Sequence, residues 1–251
     1  MSGNPEELSA RLELAREAAR EAGRITLEYF RRDDLEVELK ADQSPVTIAD
    51  REAEQQLRRR IAERFPDDGI VGEEFADKPG ESGFRWILDP IDGTKTFVHG
   101  VPFYGTLVGV ERLGKGVLGV IEMPALDERL FAAAGQGAWQ QLGDDEPREA
   151  RVSNCERLGD ALFCTTSVDG FDRIDRADAF QKLRAASRLT RTWGDCYGYV
   201  LVATGRAEVM VDPLMNVWDA AAVQPVIEES GGTFTDWQGA ATIHSGNGQQ
   251  S

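Results

Sequence analysis

Leu8, Leu12, Ala15, Ala19 and Ala22 recur at helical spacing, with Ile25 and Phe30 beyond them, and predict one long amphipathic helix running to about Arg31. Its start is marked by Asn4-Pro5-Glu6-Glu7: a capping side chain, a proline where a missing N–H costs nothing, and acids beside the positive end of the helix dipole. A second helix is predicted from Thr47, carrying Ala49, Ala53, Leu57, Ile61 and Phe65 inward until Pro66-Asp67-Asp68-Gly69 stops it. Ile70-Val71 then opens a short strand. From Phe84 the period changes, and the unbroken apolar run Trp86-Ile87-Leu88 predicts a buried strand leading into Asp89. Residues 104–111 and 117–123 predict a strand pair, as do 130–133 and 138–141 around Gly135-Gln136-Gly137. The acidic stretch 142–150 is predicted to be irregular. It is the natural join between an N-terminal lobe (1–145) and a C-terminal lobe (146–251) of one continuous unit.

The second half alternates. Strands are predicted at 161–165, 189–193, 207–211 and 233–235, and helices at 177–186, 197–204 and 220–230. A meander followed by alternation implies layered sheets and helices. There is no internal repeat and no low-complexity tract.

Composition narrows the function. The 251 residues, 41% apolar and 29% charged, suit a large soluble core. No apolar run approaches the roughly 18 residues a membrane span needs, and the first 31 residues are too charged for a secretory signal, so a cytoplasmic location is expected. The formal net charge of −16 disfavours nucleic acid and anionic membrane as partners. Three cysteines without a C-x-x-C spacing argue against a disulfide framework or a zinc knuckle. Only His99 and His244 are available as imidazoles. Charge chemistry in this chain falls to carboxylates.

The strongest candidate is Asp89-Pro90-Ile91-Asp92-Gly93-Thr94, straight after the buried strand. Proline fixes the chain and glycine permits a tight turn, so two carboxylates three positions apart can converge. Gly72-Glu73-Glu74 also follows a strand. Trp218-Asp219-Ala220-Ala221 places an acid at a helix start, and Thr47 with Asp50 heads the second helix. Each of these alone reads as an ordinary turn or cap. Together they assemble too many acids to bury unpaired, because each would cost several kcal/mol. Oxygen ligands without His or Cys select magnesium over zinc. Paired ions about 3.5–4 Å apart can clamp a phosphate and activate a water, which the hydroxyl of Thr94 could orient.

These strings, in this order and over nearly the whole chain, resemble the inositol monophosphatase superfamily. The resemblance implies a five-layer α/β/α/β/α sandwich of the sugar phosphatase type, commonly a homodimer, with two to three Mg2+ per subunit. It also implies site roles. Glu73, Asp89 and the Ile91 carbonyl would bind the first ion, Asp89, Asp92 and Asp219 the second, and Asp50 with Glu73 a third. Thr94, paired with Asp50, would activate the attacking water, while the backbone amides of Gly93 and Thr94 hold phosphate oxygens. Glu74 matches a variable acid. The stretch Trp193-Gly194-Asp195-Cys196-Tyr197-Gly198-Tyr199 and Met215-Asn216-Val217-Trp218-Asp219 are similar to the histidinol-phosphate phosphatase type, while Lys95 stands where typical inositol phosphatases carry an uncharged residue and Asp212 where they place a Glu. The implied reaction is hydrolysis of L-histidinol phosphate, a step of histidine biosynthesis. Asp195 and Asp212 would then face the substrate's ammonium and imidazole, although Asp195 equally fits a helix cap. Inositol 1-phosphate, or a broader set of sugar and nucleotide phosphates, is the alternative substrate.

Three rivals come from other classes. Asp-x-Asp-Gly-Thr of dehalogenase-like phosphatases has one residue fewer between its aspartates than this chain. Gly194-Asp195-Cys196-Tyr197-Gly198 mimics a nucleophile elbow, but only His244 could serve it. A metal-binding regulatory protein would not need Thr94. His99, Trp86 and Trp218 read as supporting residues. Relatives in the family continue with another strand and a short helix, so the C-terminus is expected to be truncated or unusually short.

Overall fold

The structure, a computed structural model, describes residues 5–244. Asn4, predicted as a cap, and the chain end after His244 lie outside the described residues. The first layer is a pair of helices, α1 (Pro5–Tyr29) and α2 (Ile48–Arg64), joined through a small hairpin of β1 (Val37–Leu39) and β2 (Pro45–Thr47). Ala15, Ala18, Ala19 and Ala22 are fully buried. Their small side chains let α1 lie close to the sheet beneath.

That sheet has seven strands: β3 (Gly69–Gly72), β4 (Phe84–Asp92), β5 (Gly105–Arg112), β6 (Lys115–Met123), β7 (Glu128–Ala133), β8 (Ala138–Leu142) and β9 (Arg148–Ala150), side by side in chain order. Only β3 and β4 run parallel. Between β4 and β5 lies the short helix α3 (Thr94–Val98). Strand alternation divides the core in two. Trp86, Leu88, Val108, Val110 and Val120 pack toward α1 and α2, whereas Ile87, Leu107 and Ile121 point the other way. The segment 142–150, expected to be irregular, ends in β9, because Arg148–Ala150 completes the sheet against β8.

The third layer is α6 (Asp195–Ala203), α7 (Val217–Ala221) and α8 (Val223–Glu229). An ideal Cβ on Gly119 would stand 2.0 Å from the carbonyl oxygen of Ala222, and one on Gly109 2.5 Å from the carbonyl carbon of Ala221. Helix backbone therefore rests directly on strand backbone, which is possible only at glycine. The fourth layer is a parallel sheet of β10 (Leu162–Cys164), β11 (Leu189–Arg191) and β12 (Val209–Met210), in the order β11-β10-β12. Leu162 and Cys164 face α6, while Phe163 meets Phe171 of α4 (Asp169–Arg173) and Phe180 of α5 (Ala177–Ala186) in the fifth layer. The result is the expected α/β/α/β/α sandwich.

Other predicted elements also differ. The helix expected over 220–230 starts earlier, at Val217, and divides at Ala222 into α7 and α8. Residues 233–235 form no strand. They and β12 instead line a cavity of about 420 Å³. No described helix is long and apolar enough to cross a membrane.

Candidate active site

In a regular strand, residues three apart point to opposite faces. Asp89 and Asp92 escape that rule because the β4–β5 register slips between them. Pro90, which has no N–H to give a ladder, sits in the slip, and its carbonyl accepts from Thr106 Oγ1 at 2.8 Å. The parallel partner β3 ends one residue before Glu73, whose N–H donates to the Leu88 carbonyl at 3.3 Å, beside Asp89. Asp219 arrives from α7 as the acidic member of a capping box, its Oδ2 accepting from the Asn216 N–H at 2.6 Å. As a result, one oxygen each from Asp89, Asp92 and Asp219 lies within 4.8 Å of the others.

The electrostatics follow from that convergence. Asp89 is 2% exposed, and its Oδ1 has no hydrogen-bond donor. Its pKa is raised well above the usual range, first by burial and then by Glu73, Asp92 and Asp219. Asp92 is raised likewise by burial and by Asp195 and Asp219. Asp219 is pushed up to about 7, again chiefly by burial. Converging oxygens, one of them buried and orphaned, suit a hard divalent cation such as Mg2+, which would remove the repulsion that raises these pKa values.

Asp50 and Glu73 stand outside this trio. Asp50 is buried, and its Oδ2 accepts from the N–H and hydroxyl of Thr47 at 2.8 and 2.7 Å. Burial pushes its pKa up to about 6. The Thr94 hydroxyl donates to the Ile91 carbonyl at 3.1 Å, so the expected Thr94–Asp50 pair is not hydrogen-bonded here. The capping box of α2 engages Asp50, and the end of β4, through the Ile91 carbonyl, engages Thr94. Glu73 Oε1 instead accepts from Lys40 Nζ at 2.6 Å, and the same ammonium bonds Glu74 Oε1 at 2.6 Å. Lys40 sits in the turn between β1 and β2, 33 positions from Glu73. No spacing in the sequence pointed to it.

Glu54 was also missed, although a signal existed, since it follows Asp50 by four residues on one face of α2. It is fully buried, and its Oε2 accepts the Glu74 N–H at 2.8 Å while Arg58 Nε donates to its Oε1 at 2.7 Å. It holds the loop that carries Glu73.

Gly93 caps α3 with φ +85°, a left-handed conformation natural to glycine. Asp195, Cys196 and Asp212 close this side. The Asp195 N–H donates to Thr166 Oγ1 at 2.7 Å, and the Thr166 N–H donates to Asp212 Oδ1 at 3.1 Å. Burial pushes Asp212 up to about 7. The Cys196 N–H donates to Asp92 Oδ2. Its thiol is buried, and burial, then Asp92, raise its pKa well above the ordinary value. His244 meanwhile bonds Glu111 through Nε2 at 2.7 Å. A buried thiol, with His244 engaged by Glu111, does not fit a nucleophile elbow. His99 Nδ1 lies 2.8 Å from the Lys95 carbonyl, a structural role at the end of α3.

The sequence pattern of the inositol monophosphatase family matches residues 7–249. A histidinol-phosphatase of Chlorobaculum parvum is 45% identical over 237 residues, covering 94% of this chain and 90% of its own. One from Streptomyces coelicolor is 37% identical, covering 94% and 90%. Among solved structures, an inositol monophosphatase from Zymomonas mobilis superposes with a TM-score of 0.80 at 35% identity, covering 92% of this chain and 87% of that one.

Proposed function

The chain belongs to the inositol monophosphatase family, and on that premise we propose that it hydrolyses L-histidinol phosphate to L-histidinol and phosphate. It is a phosphoric monoester hydrolase, and its family is generally Mg2+-dependent. The substrate rests on one observation: 45% identity to a histidinol-phosphatase across nearly the full length of both chains.

Magnesium, when bound, supplies the positive charge that draws phosphate and water together and eases the loss of a proton from that water. The chain's own residues do the rest. Glu73, Asp89 and the Ile91 carbonyl would hold one ion, and Asp89, Asp92 and Asp219 a second. Asp50 with Glu73 would hold a third, giving two to three per subunit. For Glu73 to serve, Lys40 has to release its Oε1. The Thr94 hydroxyl, rotated off the Ile91 carbonyl, orients the attacking water. Asp50, whose Oδ2 accepts from the N–H and hydroxyl of Thr47, would pair with Thr94 in activating that water. The amides of Gly93 and Thr94 take phosphate oxygens, because the first N–H groups of a helix have no intrahelical acceptor. Asp212 offers negative charge to the ammonium and imidazole of the substrate. We place this site in a homodimer.

Phosphate release with Mg2+ from L-histidinol phosphate and inositol 1-phosphate tests the assignment. The expected preference for histidinol phosphate is about a hundredfold or more in kcat/KM, roughly 2.7 kcal/mol of differential transition-state binding. Equal or reversed rates would move the substrate to inositol phosphate, whose hydroxyls Asp212 could equally accept.

A further inference from the structure

Two consecutive residues at the head of α6 grip the two ends of the turn that is proposed to hold phosphate. Cys196 donates its N–H to Asp92, at the start of the turn. Asp195 accepts from the Thr96 hydroxyl through Oδ2 at 2.8 Å, beyond the other end. Between these anchors lies Gly93, where an ideal Cβ would stand only 2.8 Å from the same Asp195 oxygen. The carboxylate therefore presses directly on the backbone whose amides face the phosphate.

Asp195 holds this position at a cost. Its φ is +49°, a left-handed conformation that side-chain-bearing residues rarely adopt. Strain of this kind persists only where the surroundings impose it. Here Thr166 fixes the Asp195 backbone and Thr96 fixes its side chain. Asp195 also raises the pKa of Asp92, while the neighbouring Lys95 favours the charged form of Asp195 itself. A carboxylate kept in a strained backbone, near like charge, with one oxygen engaged by the phosphate turn, is placed for holding that turn.

We propose that Thr96 and Asp195 are positioning residues: their hydrogen bond clamps the Asp92–Thr96 turn against α6 and sets turnover for phosphate monoesters generally, not the choice among them. The proposal rests on the phosphatase assignment and on phosphate lying at Gly93 and Thr94. It replaces the expectation that Asp195 pairs with the substrate's cation.

The test compares Thr96→Val, Thr96→Ser, Asp195→Ala and Asp195→Asn on L-histidinol phosphate and on glycerol 2-phosphate, which carries no cation. Thr96→Val and Asp195→Ala should each lower kcat by about tenfold on both substrates, the effect of one lost hydrogen bond to a charged group, and should weaken inhibition by inorganic phosphate. Thr96→Ser keeps the hydroxyl and Asp195→Asn keeps an acceptor, so each should recover most of that loss. Recovery separates positioning from a folding defect. A rise in KM for histidinol phosphate alone in Asp195→Asn would overturn the proposal in favour of substrate contact, as would wild-type kinetics in Thr96→Val. If the wild-type enzyme does not prefer histidinol phosphate, the substrate assignment fails while the clamp is still judged on glycerol 2-phosphate.

Discussion

Asp89 and Asp92 stand in direct electrostatic conflict with their surroundings. Both are desolvated, each is repelled by its neighbours, and one oxygen of Asp89 has no donor. Asp92→Asn should lower kcat by more than the 10–100-fold typical of groups that only support a ligand. In EDTA its thermal midpoint should equal or exceed that of the wild type, because the substitution removes repulsion. Steady-state kinetics and a melting curve read both parts, and wild-type turnover would sink the ligand assignment. These aspartates were legible because Pro, Gly and a preceding apolar run surround them. Lys40 and Thr166 were not, since a lone polar residue in a loop carries no periodicity and no motif.

Among the elements, α1 is pinned to the sheet by one buried charge pair. Arg11 donates to both oxygens of Asp68 at 2.8 and 2.9 Å, and its guanidinium lies 4.3 and 3.7 Å from the ring centroids of Phe65 and Phe84. Asp68 also accepts from Ser82 Oγ at 2.6 Å and Trp86 Nε1 at 2.8 Å. Asp68→Ala strands these donors and should cost about 3–5 kcal/mol. Urea unfolding would measure it, and a loss below about 1 kcal/mol would mean that the pair contributes no more than a surface bridge. The same segment shows what reading by element achieves. Pro66-Asp67-Asp68-Gly69 was correctly read as the stop of α2, but the pairing of Asp68 with Arg11, 57 positions away, had no local sign. The hairpin of β1 and β2 was missed because Val37 and Leu39 are exposed, so no buried face patterned them. The helix over 220–230 was read as continuous, since a break at Ala222 leaves both parts helical in composition.

At the scale of the whole molecule, the buried acids couple stability to pH and metal. Asp50 and Asp219 have ordinary values of 3.8 and are pushed up to about 6 and about 7 by burial. A raised folded-state value means the native protein binds protons more tightly than the unfolded chain. Its contribution is therefore complete below about pH 4 and lost as pH rises through about 6–7. Metal binding runs the opposite way, because ligands must be deprotonated. In EDTA the melting temperature should fall between about pH 5.5 and pH 8, and Mg2+ should raise it far more at pH 8. A Mg2+ effect of equal size at both pH values would mean that these carboxylates are not the ligands.

Composition, periodicity and a few spaced motifs determined the layered α/β architecture and the acids themselves, because buried faces and tight turns leave local traces in the chain; the family came from the resemblance those motifs carry. With only His99 and His244 in the chain, they also left no set of histidines for a His-rich metal site. Which acids converge was a matter of tertiary structure. The slip after Asp89 turns Asp92 to the same side, β3 delivers Glu73 beside Leu88, and α7 delivers Asp219 from more than a hundred residues away. Tertiary structure also decided the long-range partners of the site: Lys40 on Glu73 and Thr96 on Asp195. A side chain's type is written in the sequence, but its neighbours are set by how distant elements pack, and a hydrogen bond depends on position within a few tenths of an ångström.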